Sequence, residues 1–434
     1  MTLDWKASPG SPIRGVVGVP GDKSISHRAL MLAAIANGTS TISGFLEGED
    51  TRATARILQQ LGVLIETPGP GQRRVHGVGL RGLKGVESDL DCGNAGTGMR
   101  LLAGLLAGQS FPTRLVGDAS LSRRPMGRII TPLTRMGARI ETLEGGLPPL
   151  TIHVSNGLQG IDYECHVASA QVKSATLLAG LYATGTTSVI EPQPTRDYTE
   201  RMLAAFGYPI TFEPGFASLQ GGGELRAADL SVPSDFSSAA FFLVAACVVP
   251  GSDLRLRRVG MNPRRTGLMA ALRLMGADIT TEAAGEQGGE PVADLRVRYA
   301  QLHGAAIPTE LVPDMIDEFP ALFVAAALAT GVTRIEGVAE LRVKESDRLA
   351  VMSNALVSLG CRLQELPDGA VIEGGSLHGG RIDSHGDHRI AMSLAIAGQL
   401  AAGEVEIVDC ANVDTSFPGF LELARGSGFS LRVG

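Results

Sequence analysis

Six stretches of this chain are apolar on nearly every side: ALMLAAIA (29–36), RLLAGLLAG (100–108), SATLLAGLYATG (174–185), SAAFFLVAACVV (238–249), ALFVAAALATG (321–331) and IAMSLAIAG (390–398). A helix without a polar face has to be covered all round. Any fold for this chain must therefore place six helices inside it. Each stretch runs into a glycine and a short β-prone segment, at Gly38, Gly108, Gly185, Gly251, Gly331 and Gly403. Roughly 25 residues further on, a second stretch ends at Gly62, Gly137, Gly207, Gly276, Gly360 or Gly428. Two independent markers that recur about every 70 residues define a repeated folding unit.

The second stretches differ in character. TRATARILQQLG (51–62), GRIITPLTRMG (127–137) and ESDRLAVMSNALVSLG (345–360) alternate at helical period and belong on the surface. The connecting segments TSTIS (39–43), TTSVI (186–190), DLRLRRV (253–259), VTRIEG (332–337) and EVEIVD (404–409) read as strands. At 434 residues the chain exceeds what one hydrophobic core supports, and six repeats divide three plus three near Val232–Asp235. Solenoid repeats are mostly about 20–50 residues long, so units of this size predict two closed α/β domains with helices inside and sheets facing outward.

Composition narrows the partners. Aromatic residues make up 4% of the chain and the net charge is −7, which disfavours base-stacking platforms and non-specific binding to nucleic acid or anionic membrane. The five cysteines (Cys92, Cys165, Cys247, Cys361, Cys410) share no metal-ligand spacing, and no paired-histidine motif accompanies His76 or His153. A reduced, metal-free cytoplasmic protein is expected. The opening MTLDWKASPGSPIRG carries no apolar signal core, and the run Ala239–Val249 is too short to span a bilayer.

The chemistry lies in what precedes each buried helix: GDKSISHR (21–28), DCGNAGTGMR (91–100), SAQVKS (169–174), PSDFSS (233–238), PDMIDEFP (313–320) and SHGDHR (384–389). Ser, Thr, Asp and Asn at such places cap helices, and capping accounts for them taken singly. Capping does not account for Lys23, Arg28, Lys173 and Arg389, because a cation opposes the positive end of the helix dipole. Cations gathered at helix N-termini in an acidic protein point to a multiply anionic, phosphate-bearing ligand bound between two domains. DASLSRRPMG (118–127), RVKESDR (342–348) and PTRDYTERML (194–203) add Arg123, Arg124, Lys344, Glu345, Arg348 and Arg196. The segment GVPGDKS (18–24) is not a nucleotide phosphate loop, since Asp22 stands where that pattern needs its second glycine.

With GDKSISHRAL, GNAGTGMRLL, SRRP, SAQVKSA, RVKESDR and GDHRIAM in order from about Pro20 to Phe420, the chain resembles the 5-enolpyruvylshikimate-3-phosphate (EPSP) synthase family. The resemblance implies two domains of three βαβαββ units each, an inside-out α/β barrel with buried parallel helices. Residues 21–234 would form one domain, and residues 1–20 with 235–434 the other, with the active site in the cleft between them. It implies transfer of the enolpyruvyl group of phosphoenolpyruvate to the 5-hydroxyl of shikimate 3-phosphate, with no metal or cofactor, in a monomer; glyphosate is an analogue that occupies the phosphoenolpyruvate site in the family, and the resemblance leaves sensitivity to it open. By motif, Lys23, Ser24, Arg28, Ser169, Gln171, Arg196, Asp317 and Lys344 would hold shikimate 3-phosphate. Lys23, Asn94, Gly96, Thr97, Arg124, Gln171, Arg348 and Arg389 would hold phosphoenolpyruvate. Asp317 would take the hydroxyl proton, Glu345 would protonate the methylene, and Lys23 would share in the acid–base work.

Some positions depart from the family. Thr415 stands where some members carry Lys, and Ala170 where others carry a second Ser. SAQVKS and RDYTE resemble the second of the family's two sequence classes, although Tyr198 and Arg264 differ from its usual His and Thr. The related UDP-N-acetylglucosamine enolpyruvyl transferases carry a reactive Cys in the loop that here reads DASLSRRP, which has none.

Overall fold

The computed structural model describes residues 3–434. Its thirteen α-helices are α1 (Lys23–Ile35), α2 (Glu49–Gln60), α3 (Gly96–Ala107), α4 (Gly127–Arg135), α5 (Ala170–Gly180), α6 (Tyr198–Ala205), α7 (Phe236–Val248), α8 (Gly267–Leu274), α9 (Phe319–Ala327), α10 (Arg348–Ser358), α11 (His388–Gly398), α12 (Val413–Ser416) and α13 (Phe420–Ser427). The odd-numbered helices α1 to α11 are the six apolar stretches. In α7 every residue is buried, and in α9 likewise. Helices α2, α4, α6, α8 and α10 each bury one face, as their periodicity requires.

The buried helices begin before the apolar runs do. Polar residues form their first turns: Lys23 and Ser24 in α1, Gly96 and Thr97 in α3, Gln171 in α5, His388 and Arg389 in α11. The Asp22, Ser169, Asp235 and Asp387 side chains accept from the backbone N–H of Ile25, Val172, Ser237 and Arg389, and so cap four of these helices. Each such cap stabilises its helix by about 1 kcal/mol.

The repeat glycines have two different reasons to be glycine. All six of the second set take positive φ, between 74° and 118°, where an L side chain is strained. Five of the first set do so too. Gly108 is the exception at φ −90°, and there space decides: a Cβ would sit 2.2 Å from the Tyr182 ring.

The strands form six separate sheets of three or four strands, and none closes into a barrel. The expected inside-out arrangement therefore holds as buried helices beneath sheets, not as a continuous strand ring. Exposed and buried positions alternate along the strands, as in Leu147–His153 and Val332–Ile335, so each sheet turns one face to the helices and one to water. In most sheets a short edge strand runs parallel to the strand after the buried helix, which then pairs antiparallel with a hairpin. Asp162–Glu164, Thr186–Ile190, Phe216–Gln220 and Ile210–Glu213 show this order. In the fifth repeat the parallel partner shrinks to isolated bridges, His303 with Thr330 and Ala306 with Arg334.

The chain divides into two compact units: Gly21–Val232 with Gln287–Glu290, and Met1–Pro20, Pro233–Glu286 and Pro291–Gly434. The N-terminal strands explain why the first residues belong with the second half. Trp5–Ala7 pairs antiparallel with Ala402–Val408 and with Leu431–Val433, and Arg14–Val17 pairs parallel with Asp253–Gly260. Each unit has its own core. In one, α7, α9 and α11 pack on one another. In the other, α3 packs on α1 and α5, and Gly104 allows the closest approach, since a Cβ there would lie 2.2 Å from the Ala175 carbonyl oxygen. Among the described residues no helix is long and apolar enough to cross a membrane.

Candidate active site

The first unit gathers its polar residues at the N-termini of α1, α3 and α5. Asp22 caps α1 and accepts a hydrogen bond from the Tyr198 hydroxyl at 3.2 Å, which places Lys23 in the first turn. The Lys23 ammonium donates to Asp50 Oδ2 at 3.1 Å. One turn on, Arg28 is 3% exposed and each guanidinium nitrogen has a partner. Nε donates to Thr199 Oγ1 at 2.8 Å, Nη1 to the Ser24 carbonyl at 2.9 Å, and Nη2 to Ser174 Oγ at 2.8 Å. Burial lowers the Arg28 pKa to about 10, with Glu200 and Asp22 working against the fall and the Arg196 charge adding to it.

At α3, Asn94 links two charged groups. Its amide donates to Asp118 Oδ2 at 2.7 Å, and its Oδ1 accepts from Arg124 Nη2 at 2.6 Å. Gln171, opening α5, donates to Thr97 Oγ1 at 2.9 Å and accepts from Arg100 Nη1 at 2.9 Å. Ser169 caps α5 through its hydroxyl, 3.4 Å from the Val172 nitrogen. Asn94, Gly96, Thr97, Arg124 and Gln171 thus form one connected patch, whereas Lys23, Ser24 and Arg28 line up along α1.

The second unit gathers acids and cations at the N-termini of α9, α10 and α11. Asp317 precedes α9 and is approached by three side-chain cations. Lys344 Nζ and Arg348 Nη1 each lie 3.6 Å from Oδ1, and Arg265 Nη1 lies 3.3 Å from Oδ2. Its carbonyl accepts from Arg389 Nη1 at 2.9 Å. Arg348 is 1% exposed and holds Glu345 as well, with Nη2 at 2.6 Å from Oε2. Burial opposes the Arg348 charge, but Asp387, Glu345 and Asp317 outweigh it and push its pKa up. One buried guanidinium therefore presents two carboxylates, Asp317 and Glu345.

The excess of cations inferred from sequence is partly offset by protein acids. Lys173 is the clearest correction. It is buried and paired with Glu191 at 2.7 Å and Glu200 at 2.8 Å, so its charge is matched by core carboxylates. Lys23 has Asp50, and Arg389 has Glu318 at 3.7 Å. Arg100, Asp50, Arg265 and Asp387 escaped the sequence reading as site residues. Arg100 and Asp387 lay inside the quoted motifs GTGMR and GDHR, whereas Asp50 gave no signal beyond an acidic helix start. Among the described residues no cluster of His, Cys, Asp and Glu is arranged to hold a metal ion. All five cysteines are buried, and burial raises the pKa of each thiol, to about 12 at Cys247 and Cys410.

Each unit gathers cations at the N-termini of its buried helices, and one of them adds the carboxylates Asp317 and Glu345 on a shared guanidinium. A profile of the family EPSP synthase (3-phosphoshikimate 1-carboxyvinyltransferase) matches residues 7–423. The 3-phosphoshikimate 1-carboxyvinyltransferase of Xanthomonas campestris pv. campestris is 66% identical over 430 residues, covering 99% of this chain and 98% of the relative. That of Xanthomonas euvesicatoria pv. vesicatoria is 66% identical over 432 residues, covering 100% and 98%. Among solved structures, EPSP synthase from Acinetobacter baumannii is 50% identical with a TM-score of 0.90, over 100% of both chains. The chain belongs to the EPSP synthase family.

Proposed function

We propose that this protein transfers the enolpyruvyl group of phosphoenolpyruvate to the 5-hydroxyl of shikimate 3-phosphate, releasing phosphate, in the biosynthesis of aromatic amino acids. The observation that carries the reading is the pair Asp317 and Glu345 on the single guanidinium of Arg348. Addition to an enol phosphate needs a base at the attacking hydroxyl and an acid at the methylene carbon, and elimination needs the reverse. Asp317 removes the hydroxyl proton as the oxygen attacks C2 of phosphoenolpyruvate, while Glu345 delivers a proton to C3. Glu345 then takes a proton back from the new methyl group as the C2–O bond to phosphate breaks; phosphate leaves with a proton from Lys23, and the proton held on Asp317 restores Lys23.

The binding roles proposed are those that the family motifs imply. Arg28, Arg196 and Lys344, with Ser24, Ser169 and Gln171, hold shikimate 3-phosphate. Lys23, Arg124, Arg348 and Arg389, with Asn94, Gly96, Thr97 and Gln171, hold phosphoenolpyruvate. Two substrates carrying phosphates and carboxylates repel each other, and forked guanidinium groups are suited to offset that repulsion. Glyphosate, as an analogue of phosphoenolpyruvate, competes for the second set.

The test is phosphate release with shikimate 3-phosphate and phosphoenolpyruvate, run beside phosphoenolpyruvate with UDP-N-acetylglucosamine. Release that depends on shikimate 3-phosphate is expected. Release with the sugar nucleotide alone would refute the reading.

A further inference from the structure

The fourth repeat, with its PSDFSS motif, has no ligand role in the reading above, yet it is tied to the proposed base through one buried side chain. Arg265 lies on the turn before α8 and is 4% exposed. Its Nη2 reaches Asp235 Oδ1 at 3.4 Å and donates to Ser237 Oγ, both at the N-terminus of α7. Its Nη1 reaches Asp317 Oδ2 at 3.3 Å and Glu318 Oε1 at 3.5 Å. Ser237 Oγ in turn donates to Glu318 Oε1. The two oxygens of Asp317 are thus divided: Oδ2 faces Arg265, and Oδ1 faces Lys344 and Arg348.

We propose that Arg265 is a positioning residue that locks the Asp317 carboxylate, so that Oδ1 is the oxygen that accepts the hydroxyl proton. This rests on the reading of Asp317 as the base. A carboxylate on one χ2 bond rotates readily between two equivalent settings. A buried guanidinium anchored on Asp235 and Ser237 holds one setting. Lysine cannot take its place fully, because a single ammonium cannot span α7 and the start of α9 together. The charged groups around Asp317 include Arg265, Lys344, Arg348 and Arg389 as cations, with Glu318 and Asp235 as acids on Arg265, Glu345 and Asp387 on Arg348, and Glu340 beside Lys344. Removing one of the cations next to a carboxylate raises its pKa.

The experiment compares Arg265→Lys and Arg265→Gln with Asp317→Asn, measuring kcat, the dissociation constant of shikimate 3-phosphate and the pH profile of kcat. Both Arg265 variants should lose kcat about tenfold or more while shikimate 3-phosphate binding stays within about threefold; in Arg265→Gln, which removes the charge, the acid limb of the profile should also move to higher pH, whereas Arg265→Lys should leave it in place. If Arg265→Gln does not fold, Arg265→Lys, which keeps the charge, carries the comparison. Wild-type kcat in the Arg265 variants beside an inactive Asp317→Asn would overturn this inference and leave the base assignment standing. Loss of kcat in Arg265→Gln with an unmoved acid limb would also overturn it, since a merely structural residue behaves so. Full turnover by Asp317→Asn would instead remove the base assignment itself.

Discussion

Arg348 and Asp387 join the last two repeats through a fully buried ion pair, with Nε donating to Oδ2 at 2.8 Å and Nη2 to Oδ1 at 3.3 Å. Arg348 opens α10, and Asp387 caps α11 through the Arg389 N–H. Burial pushes the Asp387 pKa up, but Arg348 outweighs it and leaves it below the ordinary carboxylate value. One interaction therefore sets the position of two residues, Arg348 and Arg389, that are assigned to phosphoenolpyruvate.

Removing one partner of such a pair leaves the other charge buried and uncompensated. Asp387→Ala should cost about 3–5 kcal/mol in urea unfolding and raise the KM for phosphoenolpyruvate more than that for shikimate 3-phosphate. A variant with wild-type stability would show that the pair contributes only orientation.

Lys173 should behave oppositely to a ligand-binding cation. Burial works against its charge, but Glu200 and Glu191 outweigh burial and raise its pKa. A single ammonium faces two buried carboxylates, and burial raises the Glu200 pKa in spite of it. Lys173→Met is expected to destabilise the fold by about 3–5 kcal/mol, and adding Glu200→Gln should recover part of the loss. The measurement is urea unfolding of the two variants. A loss under about 1 kcal/mol in the single variant would return Lys173 to the ligand-binding set.

Much of the fold is legible because its signals are local. The six glycines that end the surface helices announce themselves by sequence and all adopt left-handed φ, and the buried helices reveal themselves by lacking a polar face. Pairings across long separations are not legible in this way. Lys173 finds Glu191 and Glu200 only after α5 and α6 have folded, and Lys23 finds Asp50 across a strand and a turn. The three-residue strand Trp5–Ala7 is too short to show a period, and only its register between Ala402–Val408 and Leu431–Val433 gives it meaning. Lys23, Gly96, Gln171 and His388 interrupt apolarity in the first turns, so the apolar pattern alone places these helix starts too late.

His27 makes the first unit sensitive to acid. It is fully buried, with Nδ1 2.8 Å from Thr54 Oγ1, and burial, then Lys23, then Arg28 lower its pKa from 6.5 to about 3. The unfolded chain binds a proton below pH 6.5 that the folded chain refuses until about pH 3, so stability falls as pH falls through that window. Between pH 6.5 and 4 this group alone should remove about 3 kcal/mol. His27→Gln should flatten the difference between unfolding free energies at those two pH values. Parallel curves for variant and wild type would show that His27 is protonated in the fold.

Gly96 controls the space beside Arg124. A Cβ at this position would lie 3.2 Å from Arg124 Nη1, 3.2 Å from Arg100 Nη1 and 3.5 Å from Leu121 Cδ1. The first two contacts are to the ends of flexible side chains, so Gly96→Ala should fold, and alanine is the better residue in a helix by up to about 1 kcal/mol. What must give way is the guanidinium that Asn94 orients. The KM for phosphoenolpyruvate should rise several-fold, while that for shikimate 3-phosphate stays within about twofold, because Arg28 and Ser24 on α1 are untouched. Glyphosate should inhibit the variant less well than the wild type if it uses the same arginine. Steady-state kinetics with each substrate varied in turn decide the matter. An unchanged KM for phosphoenolpyruvate would mean that Arg124 moves aside without loss of contact, and Gly96 would then be a helix-start residue and nothing more.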